Sequence, residues 1–76
     1  MQDHSAEAVY EAIGRRIVDA RKQRGISQEK LAAESGIDRS HLGFIEQGRR
    51  RPTIATLLNK ITKALGLSLE KVFRGL

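Results

Sequence analysis

Arg39, Ser40, Gly43, Phe44 and Gln47 share one face of a helix spanning Arg39 to Gln47, at about 100° per residue. Their types suit the edges of base pairs. Arg39 offers a planar fork of donors that can bond both acceptors of a guanine edge, or simply neutralise a phosphate. Ser40 can donate, accept or touch a thymine methyl; alternatively it only adds polar surface. Gly43 has no side chain, which lets the helix backbone approach the bases, or is tolerated because nothing needs a side chain there. A helix-interior glycine costs ~1 kcal/mol relative to alanine, so a close approach is the reading worth testing. Phe44 either meets a thymine methyl, folds back onto the core or joins a contact between copies. His41 borders this face, within reach of phosphate or half-packed on the surface. Leu42, Ile45 and position 46 turn the other way.

Those positions need a scaffold, and the stretch SQEKLAAESGIDRSHLGFIE over residues 27–46 reads as one. Ser27 can cap a short helix by accepting the orphan amides of its first turn. Gly36 stands where that helix must stop, Ile37 follows as a buried turn residue, and Asp38 caps a second helix. Asp38 also places negative charge at the positive end of that helix. Helix, tight turn, helix is the arrangement whose second helix lies in a DNA major groove. Before it, Ser5 can cap a helix over residues 6–24, with Val9, Ile13 and Ile17 on one face, Ala20 close by and Gly25 past its end. After it comes the basic loop Arg49-Arg50-Arg51-Pro52, in which Pro52 keeps Arg51 extended. Thr53 caps a fourth helix with the stripe Leu57, Leu58, Ile61 and Leu65, ended by Gly66. Ser68 caps a last short helix with apolar Leu69, Val72 and Phe73. The expected class is all-α with five helices in a single domain over residues 1–76, of which residues 1–8 are free to be a disordered tail.

From about Ile13 to Phe73 the chain resembles the Cro/phage-repressor-like regulators, the XRE family. Among them it is most similar to small stand-alone members such as the controller proteins of restriction–modification systems. The resemblance implies a lambda-repressor-like fold with its helix-turn-helix at helices two and three, and base contacts from Arg39, Ser40, Gly43 and Phe44. It implies that Gln28 bonds a backbone phosphate and braces the recognition helix. An exposed amide beside free helix N–H groups suits that task. Ser27, His41, Gln47, Arg49, Arg50 and Arg51 then flank the groove on the phosphates. Arg21 and Glu46 stand where phage-type members carry an arginine in helix one paired with a glutamate ending helix three. The implied role is to fix helix three against helix one, unless the two are surface charges that never meet.

Charge agrees with this partner. The formal net charge is +5, and residues 1–12 hold Asp3, Glu7 and Glu11 but no Lys or Arg. All fourteen basic side chains therefore lie in the remainder, against six of the nine carboxylates. Such an excess attracts polyanions by counterion release. With no cysteine, a disulfide framework or thiolate zinc site is excluded, and no metal or cofactor is expected. No apolar run approaches the ~18 residues of a membrane span, and the N-terminus lacks the pattern of a signal peptide. A cytoplasmic location is therefore expected. No nucleophile–base pair or phosphate-binding glycine loop is present, which argues against an enzyme.

One such unit reads only a few base pairs, so the expected species is a homodimer on a palindrome, with half-sites ~34 Å apart. Without a ligand domain after residue 76, protein concentration rather than a small molecule is the expected control. The apolar surplus of the C-terminal part points to an interface through Leu69, Val72 and Phe73. The alternative function is an antitoxin or a helix-turn-helix protein-interaction module.

Overall fold

The computed structural model describes residues 5–76, apart from the Leu58 side chain; the first four residues of the expected tail and the Leu58 contribution to the apolar stripe lie outside the described residues. Among them run five helices and no strand. These are α1 (Ala6–Gln23), α2 (Gln28–Ser35), α3 (Arg39–Glu46), α4 and α5 (Leu69–Phe73). Helix α4 is one continuous rod of three stretches: α-helical Ile54–Thr56, π-helical Leu57–Ile61 and α-helical Thr62–Leu65. The π turn was not foreseen, because i→i+5 bonding leaves no periodic mark in five residues.

Each expected N-cap acts as one. The Ser5 hydroxyl accepts from the Ala8 amide, Ser27 from Lys30, Thr53 from Thr56 and Ser68 from Lys71. The Asp38 carboxylate accepts from both Ser40 and His41. Ala6, Glu7 and Ala8, which the sequence places in the helix capped by Ser5 but also leaves free to join a tail, form the first turn of α1. At the C-termini the helices stop one residue early: Arg24 and Gln47 are caps rather than last helical residues. Gly36 ends α2 at φ 70°, a conformation costly for any residue with a Cβ. The Ile37 amide then reaches back to the Ala32 carbonyl at 3.1 Å, which sets the sharp angle between α2 and α3. Ile37 itself is half-buried, not buried, because it packs at the edge of the core.

Ile13, Ile17, Leu31, Ala32, Leu42, Ile45, Leu57, Ile61, Leu65 and Val72 form one buried cluster. Helix α1 supplies its spine and organises the other helices by three arginines. Arg16 Nη1 donates to the Val72 carbonyl at 2.8 Å and the Lys71 carbonyl at 3.4 Å, so a cation covers orphan carbonyls in the C-terminal half of α5. Arg24 Nη1 donates to the Ala64 carbonyl near the end of α4. Arg21, between them, serves α3.

Docking by Arg16 corrects one expectation. Val72 is 0% exposed and belongs to the core, so it cannot contribute to an interface between copies. Leu69 and Phe73 remain half-buried at the surface. Among the described residues the large apolar side chain most open to solvent is Ile54, at 64%. It adjoins an apolar hollow lined by Ala6, Val9, Tyr10, Ile13, Pro52, Leu57 and Phe73.

Candidate nucleic-acid interface

Helix α3 is held by its back. At its C-terminal end the Glu46 carboxylate, nearly enclosed, receives a two-pronged bond from Arg21: Nε to Oε2 at 2.9 Å and Nη2 to Oε1 at 3.2 Å. The third guanidinium nitrogen, Nη1, donates to the Ile26 carbonyl at 3.1 Å, in the turn between α1 and α2. Parallel bonds of this kind fix orientation as well as distance. Two turns before Arg21, on the same face of α1, sits Gly14. A Cβ built there would lie 2.6 Å from the Ile45 carbonyl oxygen and closer still to that of Glu46. Backbone therefore touches backbone where α1 crosses α3. Gly48 repeats the arrangement at φ 76°, with a hypothetical Cβ 2.8 Å from Glu11 Cα.

Glu46 also carries the link forward. Gln28 Nε2 donates to Glu46 Oε1 at 2.9 Å, and Gln28 Oε1 accepts from Arg39 Nη1 at 3.4 Å. A polar chain thus runs Arg21–Glu46–Gln28–Arg39, from α1 through the end of α3 and the start of α2 to the start of α3. Sequence reasoning paired Arg21 with Glu46 and assigned Gln28 a bracing part, but did not join the two. The join is visible only when both ends of α3 are seen against the first turn of α2.

Outward, Arg39, Ser40, His41, Phe44 and Gln47 are exposed. Gln28, Arg39, Ser40, Gly43, Phe44 and Gln47 line a single shallow depression. Gly43 differs from expectation in its surroundings. It is buried, and a Cβ there would touch the Gln28 side chain at 3.6 Å. The space vacated by its missing side chain is therefore covered by Gln28. Ser27, exposed, has its oxygen occupied as acceptor by the Lys30 amide; its hydroxyl proton remains a donor.

The three loop arginines part company. The guanidinium carbons of Arg49 and Arg50 lie 6.0 and 5.8 Å from the centre of the Phe44 ring. That of Arg51 lies 5.2 Å from the Tyr10 ring on α1. Arg49 and Arg50 border the α3 face, whereas Arg51 is directed to the neighbouring helix. Leu69 and Phe73, the remaining expected interface residues, are on α5 and outside the depression. Among the described residues no cluster of His, Asp or Glu could hold a metal ion, and no helix is long and apolar enough to cross a membrane.

An anchored helix presenting a donor fork and a serine, with loop cations alongside, defines a helix-turn-helix. The sequence profile of the Helix-turn-helix (HTH_3) family matches residues 17–72, and the chain belongs to that family. It is 42% identical over 62 residues to the HTH-type transcriptional regulator PuuR of Escherichia coli, covering 82% of this chain but only 33% of that regulator. The controller protein C.AhdI from Aeromonas hydrophila superposes with a TM-score of 0.82 at 35% identity, covering 87% of this chain and 98% of its own. The controller protein C.Esp1396I, solved as a tetramer with its natural 35 base-pair operator, gives a TM-score of 0.77 at 32% identity, over 86% of this chain and 84% of that one.

Proposed function

We propose that this chain is a sequence-specific transcriptional regulator that binds a palindromic operator in duplex DNA as a homodimer, in the cytoplasm. Helix α3 enters the major groove, with Arg39, Ser40 and Phe44 toward the bases and Gly43 making room for the Gln28 side chain that braces Arg39. Ser27, Gln28, His41, Gln47, Arg49, Arg50 and Arg51 are the proposed phosphate contacts. The observation that carries the reading is the polar chain ending on Arg39. A groove-facing arginine held by Gln28, itself held by a buried carboxylate, is oriented before DNA arrives, which suits discrimination between bases. The tetramer of C.Esp1396I on its operator supports assembly of copies on DNA. Selection of bound sequences from random duplex DNA tests the proposal. Enrichment of an inverted repeat with half-sites about one helical turn apart is expected; enrichment of nothing above background refutes it.

Arg39→Ala should cost ~1–3 kcal/mol on the selected site and relax preference at one base pair. Titration of single-base variants of that site measures this. Equal loss on every sequence would make Arg39 a phosphate contact instead.

For the dimer, the hollow beside Ile54, which Phe73 of α5 helps to line, is with Leu69 the proposed contact surface. Interface cores are depleted in charge, and a two-fold contact places a substitution on both subunits. Ile54→Glu is expected to shift the native dimer toward monomer in sedimentation, and to lower Tm only by the mass-action stabilisation lost with the partner, since Ile54 is 64% exposed in the single chain. Leu69→Glu should act in the same direction. An unchanged dimer in both variants would move the interface elsewhere.

A further inference from the structure

We propose that Phe44 is a positioning residue for Arg49 and Arg50: its ring and its carbonyl hold the two arginines beside the recognition face, ready for phosphate.

Two independent kinds of contact converge on this residue. The Arg49 and Arg50 amides both donate to the Phe44 carbonyl, at 2.8 and 3.3 Å, which fixes where the loop leaves α3. Their guanidinium groups then return over the Phe44 ring at 6.0 and 5.8 Å, within range of cation–π attraction. An exposed loop arginine ordinarily samples many rotamers, and ordering it is part of the cost of binding. Here a ring that is 38% exposed restricts both side chains while leaving their N–H groups free for a partner. Arg51 lacks this contact and lies over Tyr10. The loop therefore offers two ordered cations at the α3 edge rather than three equivalent ones. The role differs from a thymine-methyl contact, which would act on one base pair and leave phosphate binding untouched.

The inference rests on the DNA-binding reading, and the test separates the two. Binding to a short duplex of arbitrary sequence is measured by fluorescence anisotropy across a salt series. The native chain, Phe44→Leu and Phe44→Trp are compared, each also with Arg49→Gln and Arg50→Gln. Leucine keeps an apolar contact for a methyl but offers no ring. Phe44→Leu should weaken binding several-fold at every salt concentration while leaving the slope of log affinity against log salt native, because the released arginines still reach phosphate but must first be ordered. Phe44→Trp should restore the affinity. With both arginines already replaced, Phe44→Leu should have no further effect. Native affinity in Phe44→Leu, or the same loss of affinity without the arginines, overturns the inference alone. Failure of the native chain to bind any duplex overturns the DNA-binding reading with it. A second measurement needs no variant. In the DNA-free native protein the Arg49 and Arg50 side-chain protons should be shifted upfield in NMR spectra by the ring current, and unshifted resonances would refute the contact.

Discussion

Glu46→Gln should destabilise the fold by about 3–5 kcal/mol, the range for removing one charge of a buried pair and stranding the other. The Arg21 and Glu46 side chains are 13% and 4% exposed, so solvent screens the pair little. Glutamine keeps the shape of glutamate, but its amide group has only one oxygen where the carboxylate has two. Arg21 Nε, Arg21 Nη2 and Gln28 Nε2 all donate to that carboxylate, and one of these contacts must now face an NH2 group. Because Gln28 also accepts from Arg39, the damage should spread to the recognition face. Specific binding is expected to fall more than binding to arbitrary DNA. Urea unfolding of the native chain, Arg21→Met, Glu46→Gln and the double variant provides the check. A coupling energy of about 0.5–3 kcal/mol is expected, and a value within error of zero would contradict the geometry. A favourable pair need not outperform a hydrophobic replacement, since desolvating both charges is costly. The cycle therefore measures the contact, not its advantage over an apolar alternative.

The second large effect is expected at Gly14. Replacing a mid-helix glycine with alanine ordinarily gains ~1 kcal/mol through propensity. Here the new Cβ would stand 2.6 Å from the Ile45 carbonyl oxygen and nearer that of Glu46. Backbone atoms cannot rotate aside, so α1 and α3 must separate. Overpacking of this kind costs ~1–3 kcal/mol and sometimes more. Gly14→Ala should thus be destabilising, and Gly14→Val more so, because its branched side chain adds bulk without the propensity gain. Separation would also lengthen the Arg21–Glu46 bonds two helical turns further on. Thermal unfolding with operator titration measures both consequences; an increase in Tm for Gly14→Ala would refute close contact at the crossing.

Much of this architecture was legible because caps and glycine stops are local chemistry. Ser5, Ser27, Asp38, Thr53 and Ser68 each satisfy amides within a few residues of themselves, so spacing alone locates them. What escaped was set by crossings between helices. Gly14 drew no expectation from the sequence, although its place two turns before Arg21 on one face of α1 is a signal once the crossing is known. Val72 read as one member of an apolar surplus, and nothing in its neighbours announced that Arg16 would draw α5 inward. The bond between Gln28 and Glu46 spans eighteen residues and depends on the angle set at Gly36. Gly43 reads as a place for close approach to bases, whereas the side chain filling the gap comes from Gln28 on another helix.

The π-helical stretch of α4 has a bearing on chain length. A turn closed from residue i to i+5 takes up one residue more than an α-turn, as seen where the Thr62 amide reaches the Leu57 carbonyl. The stretch is flanked by α-helical Ile54–Thr56 and Thr62–Leu65. Leu57, Ile61 and Leu65 are buried, and so is Thr62 beside Ile61, a sign of the widened turn. A chain one residue shorter between Leu57 and Thr62 could close the same rod as plain α-helix with both ends facing as they do now. The segment therefore holds one residue of slack, and deleting that residue should leave α5 oriented as it is against the rest of the domain.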